Sequence, residues 1–229
     1  FKNLTTLGNF MIKKIKDIIS PEAEEKKIIL IDPGTGAPPE PDMRTVGLFA
    51  DVNEEKIAEV IHSVLYFNEL NKQAEKDKVQ PITFYLSTYG GNADDMFALY
   101  DVLRNVRKNT EIHTIGLGKV MSAGVLLLSA GTKGKRQIGK NCRVMLHSVM
   151  GGNHGSLHNM MNEMEAIEQL QDMYCDALIS ETKLTKVKLK KMLERKVNVY
   201  LSAEEAVELG IADEIIWGFL HGRLFERYV

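Results

Sequence analysis

The sequence predicts an α/β protein built from repeated strand–helix–strand units. Between residues 44 and 122, short apolar runs typical of strands alternate with longer stretches in which apolar residues recur at helical spacing. Strands separated by helices of this length predict a parallel sheet with right-handed crossovers. Binding residues in such sheets lie at strand ends. We therefore expect the functional residues at the points where strands end.

Composition bounds the class of protein before any motif is considered. A chain of 229 residues is long enough for one domain with a substantial core, and its 29 basic and 31 acidic residues nearly balance. This balance does not indicate the basic surface that is typical of nucleic-acid-binding proteins. Two cysteines, Cys142 and Cys175, fit a reducing compartment, and both are predicted to be buried.

No segment of the sequence is predicted to span a membrane. The longest uncharged stretch, Val120 to Thr132, is far shorter than the roughly 20 apolar residues that span a bilayer. No signal peptide is evident either. We therefore expect a cytoplasmic protein.

Residues 1–43 are predicted to be an N-terminal extension, and residues 44–229 the main domain. Phe1 to Ser20 has the apolar spacing of an amphipathic helix with lysines opposite, which is expected to pack on this domain or on a neighbouring subunit. A strand candidate, Lys27 to Ile31, then leads into a proline-rich loop over residues 32–42.

From Arg44 onward the predicted elements follow one another in regular order. Three strands are predicted, over Thr45–Val52, Ile82–Ser87 and Glu111–Gly118. The helices between them are predicted over Glu54–Asn71 and Ala93–Arg107.

The stretch from Gly116 to His147 carries the candidate chemistry. A small-residue turn joins the third strand to a helix, and this places Ser122 at the strand-to-helix corner beside N–H groups able to bind an oxyanion. After a turn-rich connection over residues 131–141, a strand over residues 143–149 carries His147. The two residues are candidates for a nucleophile and its base. A helix cap and a structural histidine would give the same local pattern.

A long helix is predicted from Ser156 to Glu181, after a glycine-rich segment. Its apolar stripe is either an adaptable interface or a core face, and both interpretations stay open. The stripe consists of Leu157, Met160, Met161, Met164, Ile167, Leu170, Met173 and Tyr174.

The remaining polar motifs are interpreted as structural. His154 and His158 stand four apart, but no third ligand is in register, so no metal site and no cofactor are predicted. A basic helix over residues 185–196 is expected to present a solvated face. Ser202 and Glu205 form a capping-box pattern that begins the last short helix.

Four ordered pieces of this chain resemble ClpP, the proteolytic subunit of the Clp protease, a serine peptidase of the crotonase-like superfamily. The resemblance extends from about Arg44 to Ile216. It rests on Ser-Thr-Tyr-Gly-Gly at 87–91, Met-Ser-Ala-Gly at 121–124, the Ala-Gly-x-x-Gly-Lys-Arg and Asn-x-Arg-x-Met-x-His pieces between 130 and 147, and the closing segment at 200–215. It implies a ClpP/crotonase-like fold in which the long helix is a protruding handle.

The resemblance also implies roles for individual residues. Ser122 falls on the nucleophile and His147 on the general base, while Gly91 and Ala123 fall on the two N–H donors of the oxyanion hole. The family's extended peptide substrate would lie along Gly90 and along the strand that contains Met150, Gly151 and Gly152.

The third member of the triad departs from the family pattern. Asn198 stands where the family has an aspartate, two residues before the aromatic residue of the closing segment. An asparagine oxygen can accept the imidazole N–H, but it stabilises the imidazolium less than a carboxylate does. Tyr89 in place of the family's proline is a smaller departure.

The resemblance implies a serine endopeptidase subunit of a chambered protease that hydrolyses unfolded polypeptides. Such subunits assemble into stacked heptameric rings, a tetradecamer, to which a hexameric AAA+ unfoldase ATPase docks. The chain has no Gly-x-x-x-x-Gly-Lys-Ser/Thr motif, so we expect ATP dependence only through that partner.

Two alternatives remain at the level of sequence. The first is a weak or inactive ring subunit, because of Asn198, which would assemble with itself or with an active ClpP paralogue. The second is a crotonase-type acyl-CoA enzyme, which shares the fold and the two-donor oxyanion hole. The Ser122–His147 pair argues against the second.

Overall fold

The computed structural model describes residues 43–152, 154–194 and 198–216. The predicted N-terminal helix, strand and proline-rich loop lie outside these residues. Within them, seven strands form one sheet with the order β1-β2-β3-β4-β7, and β5 pairs with both β3 and β6. The strands are β1 (Thr45–Leu48), β2 (Ile82–Thr88), β3 (Ile112–Met121), β4 (Arg136–Gly139), β5 (Arg143–Leu146), β6 (Val199–Leu201) and β7 (Glu214–Ile216).

The strand pairing confirms the predicted α/β fold class. All pairs are parallel except β5 with β6, which run antiparallel. Six α-helices connect or flank the strands in the described residues. They are α1 (Glu54–Gln73), α2 (Ala93–Val106), α3 (Ala123–Ser129), α4 (Leu157–Glu181), α5 (Lys186–Leu193) and α6 (Ala203–Glu208).

Helix starts follow the capping chemistry of the sequence. The side-chain oxygens of Asn53, Asn92 and Ser156 accept N–H groups in the first turns of α1, α2 and α4. Ser202 and Glu205 form the predicted capping box of α6. The apolar faces of α1 and α2 cover the parallel sheet and bury residues such as Val64 and Leu103.

Four strand predictions need correction. Strand β4 lies inside the stretch that the sequence predicts to be a turn-rich connection. The sequence does not indicate this strand, because the buried Arg136 interrupts the apolar pattern typical of a strand. Strand β1 ends at Leu48, and Val52 forms only an isolated bridge with Gly91. Strand β3 continues to Met121, beyond the predicted end, whereas β5 already ends at Leu146.

The structure decides against the core-face interpretation for most of the α4 stripe. Met160, Met161, Met164 and Met173 are between 40% and 62% exposed. Tyr174 is buried, together with Leu178 and Glu181 in the last part of the helix. The first half of α4 therefore presents an apolar surface, which leaves the interface interpretation.

The prediction that both cysteines are buried is right for one of them. Cys142 is buried, and this burial raises the pKa of its thiol to about 12. Cys175 is only half-buried, and its sulfur accepts a hydrogen bond from Gln171 at 3.1 Å.

A buried ion network joins α2, α4 and β4 on one side of the sheet. Glu181, 1% exposed, accepts both Arg107 hydrogen bonds, at 2.7 and 2.9 Å, and the Tyr100 hydroxyl at 3.1 Å. Arg136 forms an ion pair with Asp213 and donates to the Glu181 carbonyl at 2.7 Å. Burial alone raises the pKa of Glu181, but Arg107 outweighs it and lowers that pKa.

We expect Glu181→Gln to lower the free energy of unfolding by about 3 kcal/mol at pH 7, because it leaves the Arg107 guanidinium beside a neutral group in a buried site. Because the folded pKa of Glu181 lies below its unfolded value, the wild-type advantage is complete above that unfolded pKa, near 4.3. It is lost as the pH falls through the folded value. Urea unfolding at pH 7 and at pH 3 measures both effects.

Glu194→Gln is the matched control, because Glu194 is exposed and its one ion pair within the described part of the chain is with Lys190, at 3.6 Å. Its expected cost is below about 1 kcal/mol. Equal losses in the two variants would contradict the structural role of the buried carboxylate.

Candidate active site

Ser122 lies at a strained corner between β3 and α3. Its φ of 53° is the one positive value among the described non-glycine residues. The Ser122 N–H donates to the Met145 carbonyl at 2.8 Å, and the Ser122 carbonyl accepts from the Tyr174 hydroxyl at 3.0 Å. Its side chain makes no capping bond to α3. The fold therefore holds the Ser122 backbone from two sides in an unfavourable conformation, which is typical of functional residues.

Two glycines allow the chain after β2 to approach this corner. Gly90 and Gly91 have φ values of 99° and 147°, which favour glycine. A Cβ on Gly90 would stand 2.6 Å from the Ser122 Cβ, and one on Gly91 would stand 2.1 Å from the Val52 carbonyl oxygen. Only glycines fit at both positions without movement of the neighbouring chain.

Gly91 and Ala123 line the same cavity as Ser122, and each has a backbone N–H group. Neither donates a hydrogen bond to another atom of the described residues. Ala123 is the first residue of α3, where helical N–H groups have no partner within the helix. The pair has the composition of an oxyanion hole, two backbone donors beside a hydroxyl.

His147 follows the end of β5 and lines this cavity of about 360 Å³ together with Ser122. Its Nδ1 lies 2.5 Å from the Ser148 carbonyl oxygen. A carbonyl only accepts, so Nδ1 carries the proton and the neutral ring keeps a lone pair on Nε2. In the described residues no hydrogen bond joins His147 to the Ser122 hydroxyl, a contact that often tightens only when substrate binds.

Asn198 is exposed and lies immediately before β6. Antiparallel pairing sets Leu146 opposite Val199, and the next step in that register places His147 opposite Asn198. Within the described part of the chain, no hydrogen bond connects the two side chains, because the His147 Nδ1–H is directed at Ser148.

Of the four residues expected to bind substrate, two lie at the candidate site and two lie outside the cavity wall. Gly90 abuts the Ser122 corner, and Met150, 81% exposed, lines the cavity. Gly151 and Gly152 follow in the exposed segment before α4 and are not part of the cavity wall.

Sequence reasoning missed several residues of the cavity wall. The sequence pattern places Ile167, Leu170 and Tyr174 only on the apolar stripe of α4, yet all three line the cavity. Asp94 also lines it, and Asp94 and Asp95 in the sequence indicate no more than the acidic start of a helix. Tyr89 lines the cavity too. The Nζ atom of Lys119 lies 4.6 Å from the centroid of the Tyr89 ring.

Neither a metal centre nor a membrane span is found in the part of the chain that the structure describes. Its His, Cys, Asp and Glu side chains form no group of three or more able to hold a metal ion. None of its helices combines the length and the apolar character needed to cross a bilayer.

Comparisons with known proteins agree on one family. The family model described as Clp protease matches residues 42–218. The ATP-dependent Clp protease proteolytic subunit 3 of Synechococcus sp. (strain CC9902) is similar to this chain, with 31% identity over 174 residues. That alignment covers 76% of this chain and 82% of the relative.

Proposed function

The chain belongs to the Clp protease family, and we propose that it is a serine endopeptidase subunit that cleaves unfolded polypeptides. The observation that carries the proposal is the strained Ser122 corner, which shares one cavity with His147, Gly91 and Ala123. The backbone N–H groups of Gly91 and Ala123 have no hydrogen-bond partner among the described residues. Strain at a polar residue in a cavity is the arrangement expected of a nucleophile.

In the proposed reaction, His147 Nε2 takes the proton of the Ser122 hydroxyl while Oγ attacks the scissile carbonyl carbon. The carbonyl oxygen becomes an oxyanion and accepts hydrogen bonds from the Gly91 and Ala123 N–H groups. The imidazolium then gives its proton to the leaving amine, which departs from the acyl-enzyme. Water, deprotonated by His147, attacks the ester and releases the acid, and the proton returns to Ser122.

The group that orients His147 determines how fast this reaction runs. The Ser148 carbonyl accepts the Nδ1–H of His147. The register of β5 with β6, continued by one residue, places Asn198 opposite His147. Both groups are neutral, so either one selects the useful tautomer but stabilises the imidazolium less than a carboxylate. We propose that Asn198 takes the third position of the triad and that turnover is slow. The second candidate function is a ring subunit with too little activity to contribute to proteolysis. The neutral acceptor of the His147 Nδ1–H and the asparagine at residue 198 favour this candidate as well.

We also propose that the exposed apolar surface of α4 packs against another subunit, as the family's stacked heptameric rings imply. This surface consists of Leu157, Met160, Met161 and Met164, which are 40% to 66% exposed. Flexible methionine side chains suit an interface that adapts its packing. The relative's name includes "ATP-dependent", and for this chain we propose that an AAA+ unfoldase supplies that dependence.

Covalent labelling tests the peptidase proposal. A fluorophosphonate probe is expected to modify the assembled protein at Ser122, located by peptide mass spectrometry, and to leave the Ser122→Ala variant unmodified. Heat-unfolded protein and Ser63, on the surface of α1, serve as controls and should remain unlabelled. An assembled, folded ring in which Ser122 stays unmodified would exclude the endopeptidase and favour the inactive subunit.

A further inference from the structure

The active-site cavity carries a carboxylate that the proposed mechanism does not use. Asp94 lies in the first turn of α2, three residues after Gly91, and lines the same cavity as Ser122. Its backbone N–H donates to the Asn92 side chain at 2.8 Å. Its carboxylate forms neither an ion pair nor a hydrogen bond with another described residue. Asp94 is exposed, so its carboxylate is accessible to a cationic group bound in the cavity that the residue lines.

Most of the remaining wall of this cavity is apolar. Met96 and Tyr174 are buried, with 2% and 5% exposure, and Leu170 and Ile167 contribute from the facing side of α4. An apolar wall with one carboxylate matches a side chain that has a long aliphatic stem and a cationic end. Lysine and arginine are the two natural side chains of this kind.

We propose that the cavity selects substrates with lysine or arginine on the acyl side of the scissile bond, and that Asp94 is the residue that determines this preference. The inference rests on the proposed peptidase function. The first turn of α2 begins at Ala93, two residues after Gly91. With the scissile carbonyl oxygen at the Gly91 N–H, the adjoining acyl-side side chain would lie beside this turn. In this arrangement the aliphatic part of the substrate lysine or arginine packs on Met96 and Leu170, and its charged end pairs with the Asp94 carboxylate.

A simpler role for Asp94 is to stabilise the start of α2, where acidic residues are favourable. Asp95 separates the two roles. It occupies the same helical turn and donates its N–H to the same Asn92 oxygen, at 3.0 Å, but it does not line the cavity. Asp95→Asn is therefore a matched control for the helix-start effect.

The test uses fluorogenic tripeptides that differ only in the acyl-side residue, which is arginine, leucine or glutamate. For the wild-type chain we expect kcat/KM to be at least about tenfold higher for arginine than for leucine, which corresponds to one charge-assisted hydrogen bond. Asp94→Asn is expected to remove this ratio, Asp94→Lys to favour glutamate, and Asp95→Asn to preserve the arginine preference. High salt should reduce the ratio in the wild type.

Peptidyl phosphonates with arginine or leucine provide a second readout, the rate at which Ser122 is labelled, which does not depend on turnover. Labelling that is equal for the two probes, or a ratio that survives Asp94→Asn, would overturn the selectivity proposal while leaving the peptidase proposal intact. If neither these probes nor the fluorophosphonate label Ser122, the peptidase proposal fails and the selectivity proposal fails with it.

Discussion

The Ser122→Ala variant is expected to hydrolyse short peptides about a hundredfold more slowly than the wild-type chain, a smaller loss than in a serine peptidase with a complete triad. In subtilisin, removal of the nucleophile costs about 2 × 10⁶ in kcat and removal of the triad carboxylate about 3 × 10⁴. These losses do not add, because the residues act as a unit. In the proposed triad, Asn198 takes the place of the carboxylate, so most of the rate advantage is already absent. By the ratio of the two subtilisin losses, removal of Ser122 then costs about 10².

His147→Ala is expected to give the same residual rate as Ser122→Ala, and the double variant no further loss. The measurement is kcat/KM for one fluorogenic peptide, with assembly checked by analytical ultracentrifugation. Ser63→Ala, on the surface of α1, is the control and should retain full activity. A Ser122→Ala variant as active as the wild type would show that the observed hydrolysis comes from another site or from a contaminating peptidase.

The sequence predicted those parts of the fold that local patterns encode. Apolar periodicity and capping residues gave α1, α2 and α4 with starts at or within one residue of those observed. Strand β4 was missed because Arg136, buried through its pairing with Asp213, breaks the apolar pattern of a strand. Only a partner distant in sequence makes such a residue compatible with the interior.

The candidate site shows the same division between local and distant information. The corner at Ser122 and the glycines before α2 follow from short motifs, because turn geometry depends on adjacent residues. The contributions of Asp94 and Leu170 to the cavity wall depend on how α2 and α4 pack, which no local pattern encodes. The hydrogen bond from His147 to the Ser148 carbonyl is equally invisible in the sequence.

Restoring a carboxylate at residue 198 is the change with the largest expected gain. We expect Asn198→Asp to raise kcat/KM for a short peptide by up to about 10⁴-fold, the factor lost when the triad aspartate of a chymotrypsin-type peptidase is changed to asparagine. The register of β5 with β6 places residue 198 opposite His147, and its exposure permits an aspartate without a burial cost. For the carboxylate to act, the His147 Nδ1–H must turn from the Ser148 carbonyl towards it.

The gain has a second signature that a purely structural effect would not produce. Ser122→Ala in the Asn198→Asp background is expected to cost about 10⁶-fold, against about 10² in the wild type, because the complete triad acts as a unit. Asp95→Asn, an acid-to-amide change outside the cavity, is the control for altered charge and should leave the rate unchanged. An Asn198→Asp rate equal to that of the wild type would mean that residue 198 does not reach His147 and that the Ser148 carbonyl alone orients the base.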